Sequence, residues 1–223
     1  MKVTDLILPA YRQDFWARNP NWEIERITAM MSRIKEGDNI LDIGAEMGDI
    51  TALLAKAVGD TGRVFIAEPV EKMWPTIRTI FEANSLQTPN CFVGFFGNET
   101  KNEPVMLTRK WPECSEGELI DEPGFQHLNE RWDLPTARID DTVLNKLDLI
   151  TMDTEGSEFE IIKGATETIK RLKPVIYISI HPAFMDDRYH QQAQDLINYI
   201  RDLGYSSNLL AIDHETHVEF LPL

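Results

Sequence analysis

The sequence predicts an α/β fold: a mostly parallel, Rossmann-like sheet with helices on both faces, finished by an antiparallel hairpin. Three observations carry this. The stretch Asn39 to Ala52, NILDIGAEMGDITA, reads as strand, glycine-bearing turn and helix. Short apolar runs then recur between helical patterns, the alternation that builds a parallel sheet. From Ser206 onward the chain reads instead as two extended runs about a turn. The 223 residues, 43% of them apolar, are enough for one domain with a full core.

Taken in order, residues 1–20 are aromatic and polar, with Tyr11, Phe15 and Trp16 before Pro20. They read either as packing or as a cover over a site. Over about residues 21–35, Ile24, Ile27, Met31 and Ile34 share a helical face, and Gly37 suits the stop. Residues 1–37 thus form an N-terminal helical segment of a single domain spanning 1–223. In the central stretch Ile40, Leu41 and Ile43 flank Asp42, and the run ends at the turn Gly44-Ala45-Glu46-Met47-Gly48. Ile50, Leu53, Leu54, Ala57 and Val58 then recur at the helical period. Arg63 to Ala67 is a second strand, ending at Glu68-Pro69, and Pro75 with Ile77, Ile80 and Phe81 marks a helix ending near Asn84.

Cys91 to Phe96 predicts a third strand, ending at Gly97-Asn98. Residues 101–138 break the rhythm with Pro104, Pro112, Pro123 and Pro135. So long a stretch without a clear helix reads as an insertion near the substrate side. Its short antiparallel strands would be Val105–Leu107 and Thr136–Ile139. Trp111, Phe125, His127 and Trp132 either line a substrate pocket or bury the insertion. Leu147, Leu149, Ile150 and Met152 form the next strand, apolar as a buried parallel strand should be, and it ends at Asp153. Ser157 and Glu160 have capping-box spacing ahead of a helix bearing Ile162, Ala165, Ile169 and Leu172. Val175 to Ile180 is the fifth strand, ending at His181, and one helix is expected over about Asp187 to Leu203. The hairpin would be Ser206–Ile212 and Thr216–Leu221. Val218 and Phe220 alternate there with His217 and Glu219, and His214 and His217 are expected in solvent.

A formal net charge of −15 argues against nucleic acid and against an anionic membrane surface, since both are bound by basic patches. Cys91 and Cys114 are the only cysteines, which fits a reducing, cytoplasmic setting and neither a disulfide framework nor a zinc spacing. No run approaches the length of a membrane span, and Pro9 interrupts the apolar Leu6-Ile7-Leu8, so no signal peptide is expected.

The first turn points to the ligand. A dinucleotide fold would place a third glycine where Glu46 stands, and a carboxylate there would repel a pyrophosphate. Asp42 and Glu46 suit a cationic or hydroxyl-rich ligand. Glu68 stands 26 positions after Asp42, where an acid ending a second strand holds ribose hydroxyls. Asn98 either offers its amide to an adenine or simply closes a turn.

The stretches ILDIGAEMGDIT, AEP at 67–69, ARIDDTVL at 137–144 and MDTEGSEFEIIKGA at 152–165 resemble the FkbM family of S-adenosylmethionine-dependent methyltransferases. The resemblance spans roughly residues 38–183. It implies a class I methyltransferase fold and methyl transfer to oxygen, often a hydroxyl of a sugar, glycan or polyketide-like small molecule. It places the cofactor at Asp42, Gly44 to Gly48, Glu68, Pro69, Asn98 and Asp153. Two departures stand out: Glu46 replaces the usual Asn, and Ser179 replaces the acid common two positions before His181. Catalysis falls to His181, Asp153 and Glu155 at the strand ends, with His181 the expected general base on intrinsic pKa. The same three residues would also make an oxygen-rich divalent site, though no metal is assigned. A cofactor-binding module without chemistry and a nicotinamide-dependent oxidoreductase are the competing readings.

Overall fold

The computed structural model describes residues 1–101, 107–119 and 134–223. Val105, Phe125, His127 and Trp132 lie outside the described residues. Seven strands form the main sheet in the order β3-β2-β1-β6-β7-β9-β8. Its parallel part is β1 (Asn39–Ile43), β2 (Arg63–Ala67), β3 (Asn90–Phe92), β6 (Leu149–Asp153) and β7 (Val175–Ile180). The antiparallel hairpin β8 (Tyr205–Ile212) and β9 (Thr216–Pro222) completes it against β7. This is the fold class read from the sequence.

Both faces of the sheet are covered. Leu41, Ile43, Ile150, Met152, Ile176, Ile178 and Ile180 face one apolar core, which also takes in Ile162 and Ile169 of helices α5 (Glu158–Lys163) and α6 (Thr166–Leu172). Ile40, Val64, Ile66 and Tyr177 face the other. That side is packed by α1 (Ala10–Arg18), α2 (Ile24–Arg33), α3 (Asp49–Val58) and α4 (Trp74–Ala83). Strand residues alternate between the two cores, as the period of two requires.

The structure departs from the sequence reading in six places. The expected third strand splits: Phe95–Phe96 is a separate strand, β4, pairing in parallel with β5 (Thr136–Ala137) in a two-stranded sheet. The only antiparallel contacts of this region among the described residues are single bridges, Cys91 to Thr108 and Lys101 to Thr136. The helix after β6 is broken into α5 and α6 at Gly164. A Cβ there would stand 1.8 Å from the Gly97 carbonyl, so the loop after β4 passes directly over the break. The last helix is also two, α7 (Pro182–Tyr189) and α8 (Ala193–Asp202), parted by left-handed His190 at φ 52°. Pro182 opens α7 because a proline is tolerated in the first helical turn.

The buried stripe of α2 is Arg26, Ile27 and Met30, rotated from the expected one, because Arg26 turns inward to carboxylates. His217 is fully buried rather than solvated. α2 packs over that face of the hairpin, and the imidazole Nδ1 lies 2.9 Å from Ser179 Oγ. His214 remains partly exposed. Finally, the capping box does not form. Ser157 Oγ donates to the Thr154 carbonyl, and Glu160 is taken by Lys163 and Gln191.

Candidate active site

The turn after β1 makes the cofactor side of the site. Gly44 and Gly48 both hold φ +80°, and Glu46 is left-handed at φ 49°. The turn borders a cleft of about 100 Å³, whose walls include Asp42, Gly44 to Gly48, Asp153, Glu155 and Glu215. A larger hollow of about 300 Å³ opens at the other end of β2 and β3, beside Lys56, Arg63 and Arg109, and contains none of the predicted site residues.

Three carboxylates sit around this turn. Asp42 accepts the Thr51 hydroxyl, and burial pushes its pKa up to about 6. Burial pushes Glu46 up to about 7 and Glu68 up to about 8. Glu68 lies beneath the turn, its two oxygens accepting the Glu46 N–H at 2.9 Å and the Val70 N–H at 2.8 Å. Each oxygen keeps a second lone pair for a hydroxyl. Pro69 follows, half-buried, and Asn98 is exposed on the loop after β4; of the predicted cofactor residues, Glu68, Pro69 and Asn98 do not line the cleft. Buried carboxylates held close to neutrality fit a ligand carrying sulfonium and ammonium charge, which would offset their desolvation. A pyrophosphate would add to it.

The N-terminal segment covers this cleft. Arg12 Nε and Nη2 reach Asp49 Oδ2 at 2.7 and 2.6 Å, and Trp16 Nε1 donates to the same oxygen at 2.6 Å. These contacts pin α1 to the first turn of α3. Arg12 and Trp16 thereby join the cleft wall, while Val3, Leu6, Leu8 and Trp16 pack in the core, so residues 1–20 serve packing and also border the cleft.

The other half of the site gathers at the carboxyl ends of β6 and β7. Their register pairs Asp153 with Ser179, so His181 emerges just beyond Asp153. His181 Nε2 lies 3.6 Å from Asp153 Oδ1, 3.7 Å from Glu155 Oε2 and 3.2 Å from Glu215 Oε1. Its Nδ1 is 2.9 Å from Oε1 of the fully buried Glu158, which also accepts the Gly156 N–H. Burial pulls the imidazole pKa down, but the Glu158 hydrogen bond and the close carboxylates of Glu215 and Asp153 outweigh it, to about 11. Burial, opposed by Arg26, raises Asp153 well above the usual carboxylate range, and burial raises Glu155 too. Arg26 donates to Thr151, pairs with Glu23 and lies 3.8 Å from Asp153.

The expected neighbourhood of His181, Asp153 and Glu155 is therefore present, with two corrections. Glu158, in the first turn of α5 and outside the predicted trio, holds the imidazole. And the surrounding carboxylates favour the charged imidazole, which lies behind those that line the cleft, so with no other cation in the cluster it is no free general base. Glu215, Arg26 and Glu158 are the participants the sequence reading missed. The β7–β9 pairing of Ile180 with Thr216 carries the signal for Glu215, because it sets the preceding residue beside His181.

A mostly parallel sheet ending in this hairpin, with an acid-lined glycine turn after its first strand, defines a class I methyltransferase architecture. The family profile for the methyltransferase FkbM domain matches residues 42–207, and the chain belongs to that family of S-adenosylmethionine-dependent methyltransferases. Among solved structures, the methyltransferase FkbM from Methylobacillus flagellatus KT is similar at 23% identity and TM-score 0.59, covering 84% of this chain and 44% of that one. The magnesium protoporphyrin IX methyltransferase from Synechocystis PCC 6803, solved with bound S-adenosylmethionine, is 11% identical with TM-score 0.52, covering 100% and 88%. Among curated proteins, the ubiquinone/menaquinone biosynthesis C-methyltransferase of Teredinibacter turnerae is 39% identical over 49 residues, 22% of this chain and 20% of that enzyme. The chain thus spans less than half of the FkbM structure and a fifth of this curated relative. Among the described residues, no helix is long and apolar enough to cross a membrane.

Proposed function

We propose that the chain transfers a methyl group from S-adenosylmethionine to a hydroxyl of a sugar, glycan or polyketide-like small molecule. The observation that carries this is one cleft walled by both the acid-lined turn at Gly44 to Gly48 and the carboxylates Asp153 and Glu155. The bound cofactor supplies an electrophilic methyl on a sulfonium. The chain's own residues do the rest. Asp42 and Glu46 favour the cofactor's positive groups, and Glu68 accepts from the ribose diol. Asp153 Oδ1 and Glu155 Oε2 face the acceptor and accept its hydroxyl hydrogens, which aligns the oxygen for in-line attack. The hydroxyl proton passes into the cluster of Asp153, Glu155 and His181, which titrates as a unit. A wall of carboxylates on a chain of net charge −15 disfavours phosphorylated acceptors and nucleic acid and selects neutral polyols.

The test combines calorimetry with mass spectrometry. Wild-type protein should bind S-adenosylmethionine and not NADH, and Glu68→Ala should weaken binding by about 1–3 kcal/mol. With methyl-labelled cofactor and a library of neutral glycans and polyols, the label should appear on oxygen. Label on nitrogen or carbon overturns the acceptor class, and cofactor binding without turnover on any acceptor favours the binding-module reading.

A further inference from the structure

The acidic cluster at the ends of β6 and β7 has one feature that methyl transfer does not use. Asp153, Glu155 and His181 each bring one ligand atom within 4.8 Å of the others. His181 is only 7% exposed, and its Nε2, aimed into this cluster, completes no hydrogen bond. The opposite ring nitrogen is already held by Glu158 at 2.9 Å. An imidazole fixed through one nitrogen by a buried carboxylate, with the other nitrogen facing oxygen ligands, is the arrangement that orients metal-bound histidines.

The spacing agrees. Neighbouring ligands of an octahedral ion with bonds of about 2.1 Å stand about 3 Å apart. The gaps from Nε2 to Glu215, Asp153 and Glu155 are 3.2, 3.6 and 3.7 Å, close to that spacing, and Asp153, Glu155 and His181 already form one mutual group. The charge agrees too. Asp153, Glu155, Glu158 and Glu215 crowd His181, and of the two cations beside the cluster Arg26 already pairs with Glu23 and Arg188 donates to the Glu155 carbonyl. Glu215 Oε2 is also buried without a hydrogen-bond partner.

We propose that Asp153, Glu155 and His181, with Glu215 as fourth ligand, bind a hard divalent cation of the magnesium and manganese class. Oxygen ligands with one imidazole and no thiolate suit those ions rather than zinc. The location rests on the proposed active site, but the cation's binding does not depend on which acceptor is methylated.

A neighbouring trio, Glu23, His214 and Glu215, shares one ligand with this site. It is the weaker centre, because Arg26 occupies Glu23 and His214 is partly exposed.

The test is a Mn²⁺ titration of the full chain, followed by the loss of the free-ion electron paramagnetic resonance signal. One ion per chain is expected to bind, competed by Mg²⁺. Glu155→Gln should weaken it at least tenfold, and Glu158→Gln, which leaves every ligand in place, should weaken it about 10–100-fold. His214→Ala should leave it unchanged. Circular dichroism confirms that each variant is folded, and S-adenosylmethionine binding is measured on the same samples. No binding by folded wild type at millimolar Mn²⁺ overturns the proposal, as does binding lost in His214→Ala but kept in Glu155→Gln. Cofactor binding without Mn²⁺ binding overturns the cation site alone. Mn²⁺ binding without cofactor binding overturns the methyltransferase reading alone.

Discussion

Gly44 is where the cofactor turn and the catalytic strand meet. It ends β1 in a left-handed conformation at φ +80°, and a Cβ added there would stand 1.9 Å from the Asp153 carbonyl oxygen. Ordinary contact begins near 3.4 Å, so Gly44→Ala needs a displacement of about 1.5 Å. The obstacle is backbone, not a side chain that can rotate away. β1 and β6 are paired through Ile43 and Met152 just before this point, so the strand ends must part to make room. The left-handed conformation costs alanine about 1–2 kcal/mol, and the steric insertion about 1–3 kcal/mol more. Together they predict a loss of about 2–5 kcal/mol.

Gly48→Ala is the internal control. It has the same φ of +80°, but its nearest obstacles, Ile77 Cγ1 at 2.9 Å and Cα at 3.2 Å, need give by only about half an ångström. Its cost should stay near the conformational penalty, about 1–2 kcal/mol. Urea denaturation of the two variants beside wild type gives both numbers. Because Asp153 moves with its carbonyl, folded Gly44→Ala should also lose methyl transfer more severely than Gly48→Ala. Equal stability of the two variants, or Gly44→Ala as stable as wild type, would refute the reasoning.

Three further outcomes follow from the same site. Asp42, Glu46 and Glu68 hold protons up to about pH 6, 7 and 8 in the folded chain and to lower pH when unfolded, so stability should fall as pH rises from about 5 to 8. Thermal melts should show a lower Tm at pH 8 than at pH 5.5, and cofactor binding near pH 7 should release protons in calorimetry across buffers of different ionisation enthalpy. Absence of both effects would remove these carboxylates from the cofactor's surroundings. The cleft measures about 100 Å³ against the roughly 300 Å³ at which ligand pockets begin, and Arg12 and Trp16 of α1 form part of its wall. Asp49→Asn, which weakens the Arg12 contacts, should therefore speed cofactor entry in stopped-flow tryptophan fluorescence; an unchanged rate would show that α1 does not gate the cleft. His181→Ala should lower methyl transfer by up to about 10²–10⁴-fold by unbalancing the charge of the proton-accepting cluster, with little change in cofactor affinity, and a near-normal rate would leave proton transfer to Asp153 and Glu155 alone.

Much of this fold was legible because it rests on local patterns. β2 and β7 occupy Arg63–Ala67 and Val175–Ile180, the ranges their apolar runs predict, and the strand–turn–helix at Gly44 follows from glycine spacing. What was illegible depends on contacts between distant segments. Nothing near Gly164 announces that the Gly97 carbonyl crosses it, so one helix was expected where two occur. Arg26 carries no local sign that it turns inward, and its burial rotates the whole face of α2. His217 looks like a hairpin histidine until α2 is laid across it.

The catalytic cluster shows the same division within a few residues. Asp153, Glu155 and His181 are strand-end residues, and a parallel sheet aligns its strand ends, so their meeting is implied by topology alone. Ser179 then stood as a missing acid. Antiparallel pairing answers it: Ser179 faces His217, Ile180 faces Thr216, and Glu215 falls next to His181 with its carboxylate 3.2 Å from Nε2. The hairpin thus supplies a carboxylate to this site from across the sheet. Glu215→Gln should on this account alter the charge around His181 as strongly as a change at Asp153, although the two residues lie 62 positions apart in the chain. Nuclear magnetic resonance titration of the His181 ring reads it directly. In Glu215→Gln the imidazole pKa should drop from about 11 toward the ordinary range, since the negative charge 3.2 Å from Nε2 is gone. A ring that titrates unchanged in that variant would mean the hairpin carboxylate does not act on His181, and the acid lost at Ser179 would have no replacement.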